Sequence, residues 1–186
     1  MLYWGEAVSP SFDFFSEVVY SGIMLKQLHA TCIEIHNKGV LLTGHSGSGK
    51  SEVALRLMMM GARLIADDCV LLDESTCRAS CPKNLSGKME MRGVGIVPVA
   101  CKSDTKICLH VHLCPRTQVE RFPLENLETR PVPRIKLCGH DVAATADKIA
   151  FICQQKDIAD FLSAAREEGT LKNTRKKNCP LPKISL

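Results

Sequence analysis

The chain has 186 residues, 45% of them hydrophobic and 24% charged, which is the balance of a globular domain with a real core and not that of a disordered or fibrous chain. Its formal net charge of +4 is unevenly placed: Lys172, Arg175, Lys176, Lys177 and Lys183 follow residue 171, where no Asp or Glu occurs. The body is therefore close to neutral, and the basic end reads as a solvated tail, with no nucleic-acid or membrane partner expected.

Residues 1–22 hold Phe12, Phe14, Phe15, Val18 and Val19 without a clean period, and they read as an extension that packs on the body or on another subunit. Glu6, Asp13 and Glu17 interrupt the apolar residues and no basic n-region precedes them, so no signal peptide is expected. No stretch approaches the roughly 18 apolar residues that a bilayer-crossing helix needs. From Thr31 to His36 the pattern alternates, with Ile33 and Ile35 on one face, and Asn37-Lys38-Gly39 supplies turn chemistry. A hairpin into the next strand, Val40 to Thr43, is the expectation.

Gly44-His45-Ser46-Gly47-Ser48-Gly49-Lys50-Ser51 follows at once and matches G-x-x-x-x-G-K-[ST]. The spacing then predicts a helix over Ser51 to Met60, with Val53, Ala54, Leu57 and Met58 one turn apart and Gly61 as its C-terminal cap. Strand, glycine-rich turn and helix is the context a phosphate loop requires. Inward-pointing backbone N–H groups and the helix N-terminus cradle anionic oxygens. Lys50 is placed to reach the β- and γ-phosphates, and the Ser51 hydroxyl to ligate Mg²⁺.

Leu64-Ile65-Ala66 reads as a short buried strand ending at Asp67-Asp68, where one carboxylate would orient Mg²⁺ and the other take a proton from an attacking hydroxyl. Val70 to Leu72 resume the apolar run, and residues 73–88 read as a polar loop. In the segment Met89 to Val99, Gly93 and Gly95 imply close backbone approach and not an ordinary strand, while Glu90 and Arg92 share a face. Ile107, Leu109, Val111 and Leu113 alternate inward, Arg134 to Leu137 form another short strand, and residues 141–153 and 157–168 read as helices ahead of a loose tail over 170–186. One catalytic domain over residues 23–169 results, flanked by the extension and the tail.

Ten cysteines occur with no C-x-x-C pair, and most are expected to be buried small apolar residues in a reducing, cytoplasmic setting. Cys77, Cys81, His110, His112 and Cys114 fit no closed zinc pattern.

Taken together, these residues resemble the HPr kinase/phosphorylase family. His29 lies fifteen positions before Gly44, as the family's active-site histidine precedes its P-loop. GHSGSGKSE is similar to GDSGxGKSE, GARLIADD to GHRLxADD, and MEMRGVGIVPV to the signature LEIRGxGIxxV. His45 replaces the family's Asp in the loop, the PVRPGRN-like stretch is absent after residue 130, and HDVAATADKIAF is closer to the short form found in some alphaproteobacteria.

The resemblance implies an α/β fold of the P-loop type shared with phosphoenolpyruvate carboxykinase, a mixed sheet with flanking helices. It implies a kinase using ATP and Mg²⁺ on a seryl residue of an HPr-like phosphocarrier, phosphorolysis as the reverse reaction, and assembly as a homo-oligomer. Carried over by position, Asp67 is the acid/base, His29 assists it, and Lys50 and Arg92 complete the catalytic set. Ser51, Asp68, Glu52 and Glu90 would serve Mg²⁺. Two alternatives remain at this point: another P-loop NTPase or small-molecule kinase, and a nucleotide-binding regulator without catalysis.

Overall fold

The computed structural model describes residues 14–20, 23–122 and 132–177. In chain order it holds β1 (Phe14–Tyr20), β2 (Ile23–Leu28), β3 (Thr31–Ile35), β4 (Lys38–Thr43), α1 (Lys50–Met59), β5 (Arg63–Ala66), β6 (Val70–Asp73) and β7 (Arg78–Ser80). There follow β8 (Lys88–Met91), β9 (Gly95–Pro98), β10 (Asp104–Cys114), a 3₁₀ turn (Arg116–Gln118), β11 (Arg134–Cys138), α2 (Val142–Gln154) and α3 (Ile158–Lys177). Nine strands make one mixed sheet in the order β1-β2-β6-β7-β10-β4-β3-β5, with β11 beside β10, while β8 and β9 form a separate hairpin. The α/β class with a mixed sheet and flanking helices is thus the architecture observed.

β10 organises the sheet. Residues 104–106 pair antiparallel with β7, and the later residues run parallel to β4 on one side and β11 on the other. A register shift between Ile107 and Leu109 divides the strand between two apolar clusters. Leu109, Val111 and Leu113 join the larger cluster under the helices, whereas Ile107 joins the one formed with β2, β6 and β7. The alternation expected from Ile107 to Leu113 buries all four side chains, but the bulge sends the first into a different core. Both faces of the central strands are covered: Val40 and Leu42 pack on the helical side and Leu41 on the other.

The β3–β4 hairpin turns one residue earlier than the turn chemistry suggested. His36 and Asn37 both have positive φ (51° and 59°), as a two-residue type I′ loop demands, and Lys38 and Gly39 already belong to β4. Lys38 Nζ then donates to the carbonyls of Cys153 (3.0 Å) and Gln155 (2.5 Å), tying the hairpin to the C-terminal end of α2. At the end of α1, Gly61 (φ 97°) forms the expected stop. Gly61 N–H bonds to Met58 O and Ala62 N–H to Leu57 O, the paired bonds of a Schellman motif.

Several expectations are corrected. The segment 73–88 is not a plain loop, since β7 lies within it and pairs with both β6 and β10. Gly93 and Gly95 are not sites of close approach: a Cβ at either would meet nothing within 4 Å, and their positive φ (82° and 116°) instead closes the β8–β9 hairpin. α3 continues to Lys177, well past the expected end at 168. Residues 14–20, from the stretch read as packing on the body or on another subunit, take the first of these placements as an edge strand paired with β2. The remainder of that extension and residues 178–186 lie outside the described residues. Of the nine described cysteines only Cys32, Cys114 and Cys153 are buried; five are half-buried and Cys101 is exposed, so burial in the core does not account for most of them. Among the described residues no helix is long and apolar enough to cross a membrane.

One ion pair makes stability depend on pH. Glu34 accepts from Lys102 Nζ (2.8 and 2.9 Å) and from Thr105 Oγ1 (2.6 Å), joining β3 to the start of β10. Burial alone would raise its carboxyl, but these hydrogen bonds and the Lys102 and Arg63 charges hold it below the ordinary glutamate value of 4.5. The folded state therefore binds this proton less readily than the unfolded state. The stabilisation is present above that value and is lost as pH falls through the depressed folded one. Urea unfolding of the parent and Glu34→Gln at a series of pH values is expected to show a gap that is widest near neutrality and shrinks on acidification.

Candidate functional site

α1 starts directly at Lys50 because Gly49 adopts a left-handed conformation (φ 91°) at its N-cap, so the preceding loop folds over the helix N-terminus. Lys50 is 5% exposed, and its Nζ donates to Gly44 O (3.0 Å) and His45 O (3.3 Å) and lies 3.2 Å from His29 Nε2. A cavity of ≈ 390 Å³ opens in front of the loop, between it and the β8–β9 hairpin.

The cavity walls gather most of the residues singled out from sequence. His29, Ser46, Gly47, Gly49, Lys50, Ser51, Glu52, Asp68, Glu90 and Arg92 all line it. Gly44 and His45 instead contribute carbonyls to Lys50 from behind, and the His45 side chain is exposed outside the cavity wall. Ser48, within the loop, has its Oγ buried and without a hydrogen-bond partner among the described residues. Sequence reasoning missed Leu55, Met89, Met91 and Val94, which supply the apolar part of the wall. Leu55 follows Ser51 by one helical turn, so the 3.6-residue period would have found it.

The two adjacent acids stand in different environments. Asp67, at the end of β5, is buried, and its Oδ1 accepts from Ser51 Oγ (3.0 Å) and from Thr31 Oγ1 (2.9 Å). Thr31 was not anticipated; its signal is a hydroxyl at the head of β3, just after the His29-Ala30 turn that carries the cavity histidine. Asp67 Oδ2 is buried and has no hydrogen-bond partner among the described residues, while the Glu90 backbone amide favours the charged form. Burial chiefly, and the Asp68 charge in addition, push the Asp67 carboxyl above the usual aspartate value against the two hydroxyl hydrogen bonds.

Asp68 is exposed and faces the cavity. Its φ is 61°, and the Cys69 N–H bonds to Asp67 O (2.8 Å), so the chain makes a tight turn around it. A non-glycine residue held with positive φ stores backbone strain, a feature that gathers at active sites. His110 and His112, by contrast, lie apart from the cavity wall and bond to the Thr43 hydroxyl at 2.8 and 3.2 Å.

Residues 24–174 match the family model described as the HPr serine kinase C-terminal domain. The chain belongs to that family. The match covers the cavity and the sheet from β2 onward, with the edge strand β1 ahead of it. Among curated relatives, the HPr kinase/phosphorylase of Latilactobacillus sakei subsp. sakei (strain 23K) is 39% identical over 127 residues, which are 59% of this chain and 41% of that protein. That of Lacticaseibacillus casei (strain BL23) is 45% identical over 98 residues, 47% of this chain and 31% of the relative. The chain thus spans well under half the length of the curated relatives it matches. A solved structure, the Hpr(Ser) kinase/phosphatase from Coxiella burnetii, is similar at a TM-score of 0.58 and 26% identity, covering 67% of this chain and 93% of that one.

Proposed function

We propose that this member of the HPr serine kinase C-terminal domain family is a Mg-ATP-dependent protein-serine kinase acting on an HPr-like phosphocarrier. The observation that carries the reading is the convergence, on one cavity, of a phosphate loop, the Lys50 ammonium, the Ser51 hydroxyl, the Asp68 carboxylate and the Glu90–Arg92 hairpin. The names of the relatives suggest a protein hydroxyl as the acceptor, and which protein carries it.

The residues fit a hard cation. Ser51 Oγ is hydrogen-bonded to a buried carboxylate whose second oxygen has no partner among the described residues, and Glu52 and Glu90 stand on the cavity wall, without a ready-made cluster of three acids among those residues. These oxygens are the donors Mg²⁺ takes, and the bound ion would neutralise charge on the phosphate oxygens.

In this reading the parts of the two acids are the reverse of those assigned from sequence. Asp68 faces the cavity and accepts the proton of the attacking seryl hydroxyl, whereas Asp67 fixes the Ser51 hydroxyl from below. Lys50 leaves its loop carbonyls to hold the β- and γ-phosphates, His29 stays beside it, and Arg92 stabilises charge on the transferring group from the hairpin.

The test is to mix the chain with purified HPr, Mg²⁺ and ATP and read the intact mass of HPr. A gain of one phosphoryl group on a serine is expected, with its loss on adding inorganic phosphate if phosphorolysis is retained. ATP binding without any transfer, at high enzyme concentration, would sink the kinase reading in favour of a nucleotide-binding regulator.

A further inference from the structure

The phosphate loop is seated closely on the backbone of β10 and of the turn after β11, with the Ser48 side chain also packed against Gly44. A Cβ at Gly44 would lie 2.5 Å from Leu113 O at the end of β10, and one at Gly49 would lie 2.5 Å from Gly139 O. The contact is reciprocal: a Cβ at Gly139 would overlap the Ser48 carbonyl oxygen and lie 3.0 Å from its carbon and 3.2 Å from Leu113 Cβ. Gly139 is itself fixed, since its N–H donates to Cys114 O (3.3 Å) and the preceding carbonyl, Cys138 O, accepts from Thr145 Oγ1 (2.7 Å). Its φ lies outside the left-handed region, so backbone conformation does not require glycine here. Space does.

We infer that Gly139, on the β11–α2 turn and outside the phosphate-loop motif, is a positioning residue that sets the height of the Ser48–Gly49 peptide. It touches no ligand and acts through the loop. This inference rests on the nucleotide site proposed above. Because the Ser48 carbonyl abuts the Gly139 α-carbon, any side chain there lifts the peptide groups on either side of Gly49, whose N–H groups aim at the phosphates. The methyl group of Gly139→Ala cannot be absorbed by a rotamer change, since its nearest neighbours are backbone atoms held in strands and turns. A displacement of that kind acts on geometry-sensitive phosphate contacts far more than on overall packing.

The experiment measures Mg-ATP affinity by calorimetry, the Michaelis constants for ATP and for HPr, and thermal stability, for the parent, Gly139→Ala and Gly61→Ala. Gly61 has positive φ with nothing within 4 Å of a Cβ, so its substitution strains the end of α1 without touching the loop. Gly139→Ala is expected to weaken Mg-ATP and raise KM for ATP about tenfold to a hundredfold, leaving kcat and KM for HPr within a few-fold. Gly61→Ala should lower the melting temperature and leave ATP affinity alone. Equal ATP affinity for the parent and Gly139→Ala would overturn the inference, whereas no ATP binding by the parent would overturn the nucleotide reading beneath it. Should Gly139→Ala fail to fold, hydrogen exchange of the parent decides. The amides of residues 139–141 should gain protection with Mg-ATP, and unchanged exchange there would count against the inference.

Discussion

Asp68→Asn is expected to lower the rate of phosphoryl transfer by about 10²–10⁴, the usual worth of a positioned general base, with Mg-ATP affinity changed only a few-fold. Asp67→Asn should behave differently in two measurable ways. Asp67 holds Ser51 and lies under the cavity, so its replacement should raise the Mg²⁺ concentration needed for half-maximal rate. It should also raise the melting temperature near neutral pH. Folding lifts the Asp67 pKa above its ordinary 3.8, so the folded state binds that proton more readily. The sign follows: stability is highest at pH below the unfolded value and falls as pH rises through the folded one. At neutral pH the buried charge is therefore a destabilising element, and an amide that still accepts from Thr31 and Ser51 removes it. A stabilised protein with a poorer metal requirement is the signature of a strained functional group. If Asp67→Asn abolished transfer while Asp68→Asn left it intact, the assignment made from sequence would stand and the geometric one would fall.

Lys50→Met should cost at least about tenfold in Mg-ATP affinity and more in rate, because each charge-assisted hydrogen bond is worth about 1.5–3 kcal/mol and the transferring group gains charge contacts in the transition state. Lys50→Arg is expected to rescue little. The Lys50 ammonium donates to the Gly44 and His45 carbonyls and lies beside His29, an arrangement that suits a compact three-donor group better than a planar fork. Titration calorimetry separates the binding loss, and single-turnover transfer measures the rest.

What could be read from the sequence and what could not have physical causes. The phosphate loop, α1 and the Gly61 stop were legible because each depends on local chemistry: glycines where φ must be positive, a 3.6-residue apolar period, and a left-handed cap. β7 was not legible. Three residues between Cys77 and Cys81 carry no periodicity, and only the partners β6 and β10 make them a strand. The hairpin of Gly93 and Gly95 was misread because glycine serves both close contact and positive φ, and the sequence does not distinguish the two. Gly139 is the converse case, a close contact with nothing in the sequence to mark it. That Asp67 is buried while Asp68 lines the cavity was not legible for a similar reason. Asp68 takes a φ of 61° just past β5, and backbone torsion at a single residue leaves no compositional trace.

The sheet order also governs when the site can exist during folding. β4 delivers the phosphate loop, and β3 covers one of its edges through a two-residue turn. Its other edge waits for β10, and the Thr43–His110 bond between them spans 67 residues of chain. Local hairpins close in microseconds, whereas a pairing across that separation must first meet the entropy of a long loop. On a ribosome, the strand that feeds the loop therefore emerges with one bare edge and stays so while more than sixty further residues are added. The β11 turn that seats Ser48 arrives later still. The most recognisable motif of the chain is among the last parts of the fold to be assembled.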